Sequence, residues 1–207
     1  ELRAQVFSDF NLSPDRPLLV LVSKYASLLF SLQEKEALYR TTFAAVRLLE
    51  NPHLVVKVHP NENLGTLRGQ VRAWGGDSAI LTQEYDIHRL FGAANAAIMV
   101  TSMAGIEAMA MGCPVVAVQT PGKDFEGEYM PPYVRQGAAP RVEMNDPVAL
   151  AAVLRRLLTD AAARALLVER GRQFAARYLH PVDGKIGARL LDLVGGHRQE
   201  IVSRGVR

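Results

Sequence analysis

The sequence places a hydroxyl pair directly before a helix built from small and apolar residues. Thr101 and Ser102 end an apolar run, and the segment 103–111 that follows them has the spacing of a short helix. The first turn of a helix has unpaired N–H groups and carries the positive end of the helix dipole, which suits a phosphate or pyrophosphate. We therefore predict a phosphate-binding site at the start of this helix, with the hydroxyls of Thr101 and Ser102 as further donors.

One carboxylate lies within the same helix. Glu107 is about one and a half turns from its start, and its neighbours are almost all apolar or small. We expect this side chain to avoid an exposed surface and to accept hydrogen bonds from the two hydroxyls of a ribose. Gly112 and Pro114 then predict the end of the helix and a return to extended chain.

Two basic residues end other apolar runs. Lys24 closes the segment 17–24, and His59 follows the segment 54–58. Either cation can contact a phosphate, and an imidazole can also stabilise charge that develops on a leaving group. We predict that both residues bind substrate and that His59 is catalytic. The remaining histidines are predicted to be surface residues: His53, His88, His180 and His197.

The predicted site residues lie at or after strand ends, in a regular alternation of predicted strands and helices. Strands are predicted at 17–24, 54–58, 79–82, 96–100, 114–118 and 141–143, and helices at 33–50, 63–74, 87–94, 103–111, 148–159, 161–178 and 184–194. The alternation predicts an α/β fold with a doubly wound, Rossmann-like parallel sheet over residues 1–194, followed by a charged tail at 195–207. Ligands of such sheets bind beyond the carboxyl ends of the strands, where the predicted site residues lie.

Composition narrows the class of protein. The chain has 207 residues, 49% of them hydrophobic, with 24 basic and 21 acidic side chains. Because these charges are spread along the chain with no basic block, we expect no nucleic-acid partner. The single cysteine, Cys113, cannot form an intramolecular disulfide, and no segment has the roughly 20 apolar residues of a membrane span. We predict a cytoplasmic protein, with peripheral attachment to the inner face of a membrane left open.

The segment 120–140 is rich in glycine, proline and acidic residues, which is typical of a functional loop. Its carboxylates are Asp124, Glu126 and Glu128. They either solvate the loop or contact sugar hydroxyls, and the sequence leaves both interpretations open.

The segment from Glu107 to Ala117, EAMAMGCPVVA, resembles the donor-site signature of GT-B glycosyltransferases, and the likeness extends over nearly the whole chain. The resemblance implies the C-terminal, nucleotide-sugar-binding half of a GT-B enzyme. Residues 101–104 would hold the donor phosphates and Glu107 the ribose. His59-Pro60 together with the hydroxyl pair is similar to motifs of bacterial sialyltransferases, capsule Kdo transferases and teichoic acid glycerophosphotransferases. A weaker likeness to capsule-type transferases covers 178–191.

The resemblance implies a UDP- or CMP-linked sugar as substrate, with no further cofactor, and the sequence lacks the Asp-x-Asp motif of metal-dependent transferases. The acceptor, a surface polysaccharide or a glycolipid at the membrane, would bind a preceding N-terminal domain outside this sequence. That domain would also supply the catalytic base. The isolated domain is therefore expected to bind nucleotide and to catalyse nothing.

Two alternatives remain at this point. UDP-N-acetylglucosamine 2-epimerases share the architecture and carry a turn like His59-Pro60-Asn61. Their Ser-Gly-Gly and paired glutamates, however, correspond here to 102–104 and to Glu107-Ala108, and their Thr-Glu-Arg-Pro segment is missing after Gln119. The other alternative is a non-catalytic module that binds nucleotide-sugars.

Overall fold

A computed structural model describes residues 1–124, 126, 130–179, 185, 187–189, 191 and 192. The strands are β1 (Leu18–Val22), β2 (His53–Lys57), β3 (Ile80–Thr82), β4 (Ala96–Met99), β5 (Val115–Gln119) and β6 (Arg141–Glu143). The helices are α1 (Leu2–Asp9), α2 (Leu32–Arg47), α3 (Leu64–Ala73), α4 (Ile87–Ala93), α5 (Met103–Ala110), α6 (Pro147–Thr159) and α7 (Ala161–Ala175).

The six strands form one parallel sheet in the order β3-β2-β1-β4-β5-β6. Apolar side chains from the two faces of the sheet build two separate cores. One core includes side chains of α2, α3 and α6, and the other includes side chains of α1, α4 and α5. Because both faces are covered, β1, β4 and β5 are buried along their whole length, which explains their unbroken apolar sequences. The predicted doubly wound fold is confirmed.

The end of α5 follows the predicted stop signal. Gly112 has a φ of +74°, in the left-handed region that glycine adopts without strain. Its amide donates to the Met109 carbonyl at 3.0 Å, and the next amide, of Cys113, donates to Ala108 at 2.9 Å. This pair of bonds is a Schellman motif, and it turns the chain directly into β5.

The Cys113 side chain is buried in the core beneath this turn. Burial raises the pKa of its thiol to about 12, because an apolar surrounding disfavours the thiolate. The thiol is therefore unreactive at neutral pH.

The amino-terminal helix α1 was not predicted. Its buried residues are Val6 and Phe7, which pack in the core that also contains α4. Arg3 covers the Phe7 ring at 4.2 Å and donates to the Ala93 carbonyl. Since only two of eight residues are buried, the amphipathic signal in the sequence is weak.

At the other end of the chain, α7 ends three residues before the predicted 178. Within the predicted helix 184–194, the described residues 187–189, 191 and 192 are helical and residue 185 is not, and the predicted tail at 195–207 lies outside the described residues. Among the residues that the structure describes, no helix combines the length and apolarity needed to cross a membrane.

Candidate functional site

The predicted basic and hydroxyl residues meet at one edge of the sheet. In β1, Val22 pairs with Lys57 of β2, and Leu21 pairs with Ile98 of β4. Continuing these registers places Lys24 level with His59 on one side and with Thr101 on the other. Adjacent strands lie about 4.8 Å apart, so the three backbones end side by side. The β1/β4 boundary is also where the strand order reverses, the position at which open α/β sheets bind ligands.

The start of α5 is held by its own N-cap residue. The Ser102 hydroxyl accepts a hydrogen bond from the Ala104 amide at 3.3 Å, and the Ser102 carbonyl accepts one from the Gly105 amide at 3.0 Å. Met103, the first helical residue, is 47% exposed. The helix start is therefore accessible, although a ligand would have to replace the long Ser102–Ala104 bond with its own oxygen.

A tyrosine from the loop after β5 anchors the same turn from below. Tyr133 is fully buried, and its hydroxyl accepts a hydrogen bond from the Ser102 amide at 2.9 Å. The ring lies against Gly105, where an added Cβ would come within 2.9 Å of the hydroxyl oxygen. Burial raises the pKa of the phenol above its ordinary value, so it stays protonated. Tyr133 was not among the predicted site residues, because the contact joins residues 31 positions apart.

Thr101 does not fit its predicted role. Its side chain is fully buried, and its hydroxyl accepts a hydrogen bond from Gln119 Nε2 at 2.8 Å. Thr101 therefore links the ends of β4 and β5 below the surface of the carboxyl edge of the sheet. Of the residues predicted to contact phosphate, Ser102, Met103 and Ala104 are accessible.

Glu107 is more exposed than its apolar sequence neighbours suggested. Its side chain is 41% exposed, and Oε2 lies 3.3 Å from His88 Nε2 of α4. The carboxylate is about 6 Å along the helix axis from Met103, within reach of a ligand at the helix start. The expectation that it avoids solvent is wrong, and its contact with ribose stays a prediction.

His59 is half-buried at the end of β2, and its ring packs against Tyr25 with the centroids 4.6 Å apart. The Asn61 amide donates to Nδ1 at 3.1 Å, so the neutral imidazole must carry its hydrogen on Nε2. Burial lowers the pKa of His59; Glu62 opposes this change, and Lys24 and Lys57 add to it. At neutral pH the ring is therefore an uncharged donor through Nε2.

A buried polar network supports the His59 turn, and sequence analysis missed it. Glu62 is bonded through its carboxylate to the ammonium group of Lys35 and to the hydroxyl of Ser23. The two charged side chains are only 8% and 4% exposed. Tyr39 donates to the Ser23 hydroxyl at 2.8 Å, and the His59 amide donates to Glu62 at 3.2 Å.

The network joins β1, α2 and the His59 turn into one unit at the carboxyl edge. Lys35 and Glu62 are 27 residues apart, so no local sequence pattern predicts their pairing.

The acidic residues of the loop after β5 are tied to the loop itself. Glu126 is 3% exposed and accepts hydrogen bonds from the amides of Val134 and Arg135 at 2.7 and 2.9 Å. Asp124 accepts two bonds from the Arg135 guanidinium, at 2.6 and 3.1 Å. Both carboxylates are therefore engaged within the loop, and Glu128 lies outside the described residues.

The beginning of this loop is fastened to α2 by Glu34. This residue completes a capping box with Ser31, and its carboxylate also accepts bonds from Thr120 at 2.8 Å and Lys123 at 2.7 Å. Burial alone would raise the pKa of Glu34, but bonds from Lys123, Ser31 and Thr120 together lower it to about 2.

We expect Glu34 to give the protein a specific acid sensitivity. A carboxylate whose pKa is lower in the folded state than in the unfolded state stabilises the fold above its unfolded pKa, and this stabilisation is lost as the pH falls towards 2. Between pH 5 and pH 2 the wild type should lose roughly 2–3 kcal/mol more unfolding free energy than Glu34→Gln. Urea titrations at several pH values measure this difference. Identical pH profiles for the two proteins would contradict the proposed tether.

No protein-family model matches the chain, and no curated protein matches it. Solved structures do. WaaG, a glycosyltransferase involved in lipopolysaccharide biosynthesis, aligns with a TM-score of 0.60 and 15% identity over 95% of this chain and 51% of its own. A UDP-GlcNAc 2-epimerase from Neisseria meningitidis bound to UDP-GlcNAc aligns with a TM-score of 0.59 and 11% identity, over 85% of this chain and 46% of its own. The S. aureus MnaA–UDP co-structure aligns with a TM-score of 0.63 and 13% identity, over 94% of this chain and 48% of its own.

The fold is Rossmann-like and matches one half of a GT-B structure. This agreement confirms the predicted fold class. Glycosyltransferases and epimerases are both among the similar structures, and the chain spans about half the length of each of the three. At these identities the likeness establishes the fold, and function has to be argued from the site.

Proposed function

We propose that this chain is the donor-binding domain of a GT-B glycosyltransferase that moves a sugar from a UDP- or CMP-linked donor to a surface polysaccharide or glycolipid. The acceptor and the catalytic base would come from a second domain, so the chain alone would bind the donor without transferring it. The protein would act in the cytoplasm, peripherally at the inner face of a membrane.

One observation carries the proposal: the open start of α5 and the pair Lys24–His59 flank the reversal point of the sheet. The positive end of the α5 dipole and the accessible first turn favour a phosphate at the helix start, and the adjacent ammonium and imidazole favour a second negative charge beside it. Glu107 lies further along α5, where the ribose of such a nucleotide would extend. The arrangement thus suits a nucleoside phosphate with a substituent.

The proposed chemistry is electrostatic. As the glycosidic bond breaks, negative charge grows on the departing nucleotide phosphate. The α5 amides, Lys24 and the Nε2 hydrogen of His59 would stabilise that charge in a preorganised position. In this mechanism His59 is the catalytic residue, Ser102, Met103 and Ala104 hold the phosphate, and Glu107 holds the ribose.

An epimerase-like enzyme is the second candidate, favoured by the His59-Pro60-Asn61 turn and by the similarity to epimerase structures. The residues 102–104 depart from the epimerase pattern, which is why we prefer a transferase. A binding module without turnover is the third possibility. Assays of a chain that includes the second domain would distinguish the three candidates. A transferase would move the sugar to an acceptor, an epimerase would change the configuration at the sugar C2, and a binding module would only bind the donor.

Calorimetric titration with UDP-glucose, UDP-N-acetylglucosamine and a CMP-linked sugar tests the proposal. We expect one of them to bind at micromolar to millimolar concentration, and no binding of any would overturn it. Because these donors have no ionisation near neutral pH, a proton taken up from solvent on binding would be bound by a group of the protein. The lowered pKa of His59 predicts such uptake near pH 6 and tighter binding at pH 6 than at pH 8.

The matched variants are His59→Gln and His53→Gln. His53 also has a pKa lowered by burial, but it begins β2 at the opposite edge of the sheet. We expect His59→Gln to weaken binding about tenfold, the loss of one charge-assisted hydrogen bond, and to abolish the proton uptake. His53→Gln should change neither. Equal effects of the two substitutions would contradict a phosphate contact by His59.

A further inference from the structure

A groove lies away from the proposed donor site, at the amino-terminal end of β6. It consists of two cavities that share Gly137 and Arg170. The first, of about 340 Å³, lies between α6, α7 and the segment 137–140. The second, of about 500 Å³, lies between α7 and the segment 135–137. Both volumes fall within the range of sites for small molecules.

The two cavities differ sharply in chemistry. Apolar side chains dominate the walls of the first, among them Val153, Leu157, Leu166 and Leu167. The second is lined mainly by three arginines and two glutamines: Arg135, Arg170, Arg177, Gln136 and Gln173. A ligand that fills the whole groove must therefore have an apolar part and an anionic part.

One face of α7 runs through both cavities and changes character along its length. Positions 163, 166, 167 and 170 line the apolar cavity, and positions 170, 173 and 174 line the cationic one together with position 177, two residues after the helix ends. This spacing is that of one helix face, and the stripe is about 20 Å long. Leu166 is 53% exposed although it belongs to the apolar half.

The positive charge of the groove comes mainly from two side chains. Arg135 is already neutralised by Asp124 at 2.6 Å, and Arg156 lies 3.9 Å from Asp160. Arg177 donates to Gln136 at 2.9 Å, which holds its guanidinium at the cavity wall. The nearby carboxylate of Glu169 accepts a bond from Gln173. Arg170 and Arg177 therefore supply the charge available to a ligand.

The segment that forms α6 and α7 also carries an excess of positive charge, and three of its arginines line the groove: Arg156, Arg170 and Arg177. Residues 147–177 contain six arginines, no lysine and two carboxylates, whereas the whole chain carries a net charge of only +3. Along the sequence no basic block stands out, and the packing of α6 against α7 brings this excess together. Arginine suits phosphate because its planar fork donates two parallel hydrogen bonds.

We propose that the groove binds a phosphate-bearing membrane lipid, with the phosphate between Arg170 and Arg177 and one hydrocarbon chain along Leu157, Leu166 and Leu167. This site would hold the domain at an anionic membrane surface. The inference does not depend on nucleotide binding, so its test and the donor titration can succeed or fail separately.

The experiment measures co-flotation of the chain with vesicles. We expect binding to vesicles of equal parts phosphatidylcholine and phosphatidylglycerol, and at least tenfold weaker binding to phosphatidylcholine alone. The double variant Arg170→Gln/Arg177→Gln should weaken binding to the anionic vesicles roughly tenfold or more. The control Arg40→Gln/Arg68→Gln removes the same charge from α2 and α3 and should bind like the wild type. Equal losses in both double variants would overturn the proposal.

A titration in solution separates a lipid from a bare anion. Dihexanoyl phosphatidic acid should bind at least tenfold more tightly than glycerol 3-phosphate or inorganic phosphate. Leu166→Asn should weaken binding of the lipid several-fold and leave inorganic phosphate unchanged. If inorganic phosphate binds as tightly as the lipid, the groove is a simple anion site and the lipid proposal is wrong.

Discussion

Replacing Lys35 with methionine should lower the free energy of unfolding by about 3–5 kcal/mol. The substitution leaves the Glu62 carboxylate buried without its cation, and the remaining partners, Ser23 and the His59 amide, cannot offset the charge. Urea unfolding followed by the fluorescence of Trp74 measures the change. Trp74 suits this purpose because it is the only tryptophan and lies 5.3 Å from the Tyr39 ring, next to the network.

Two further variants test the reason for this loss. Lys35→Met/Glu62→Leu removes both charges, so it should recover much of the stability. Arg40→Met breaks the exposed pair with Glu36 and should cost at most about 0.5 kcal/mol. If the double variant is less stable than Lys35→Met alone, the carboxylate is not the cause of the destabilisation.

Replacing Gly105 with alanine should destabilise the protein by about 3 kcal/mol, although alanine is the better helix former by roughly 1 kcal/mol. The new Cβ would lie 2.9 Å from the Tyr133 hydroxyl oxygen, and the buried ring has little room to retreat. Displacing the ring breaks its bond to the Ser102 amide, so donor binding should weaken as well. Urea unfolding and calorimetry measure the two effects.

Gly69 provides the matched control. It lies inside α3, and nothing stands within 4 Å of the position of its missing Cβ. Gly69→Ala should therefore stabilise the protein by up to about 1 kcal/mol. In a Tyr133→Phe background the cost of Gly105→Ala should shrink in part, because the shortest contact is gone while the ring carbons at 3.0 and 3.2 Å remain. An unchanged cost would point to a contact other than this hydroxyl.

Much of the architecture could be predicted because the relevant signals are local. Strands buried on both faces are apolar throughout, as in β1, β4 and β5, and the glycine at 112 marks the end of α5. The strand ends could be predicted to converge because parallel strands share one carboxyl edge. Lys24 and His59 are adjacent for this reason alone.

The residues that shape the site were harder to predict, because their partners are distant in sequence. The Lys35–Glu62 ion pair and the Tyr133–Ser102 bond depend on which elements become neighbours, and each side chain looks ordinary in its own segment. Thr101 and Glu107 show the opposite error. Their residue types suggested ligand contacts, but only the packing of the chain reveals that one is buried and the other is exposed.

The state of Cys113 has a practical consequence. The chain has no other cysteine, and this one is enclosed, with a thiol pKa raised to about 12. The native protein therefore offers almost no background to thiol-specific dyes or spin labels. A cysteine introduced at Leu28 or Leu166, both solvent-accessible, could be labelled selectively and would report on ligand occupancy at either end of the molecule without prior removal of the native thiol.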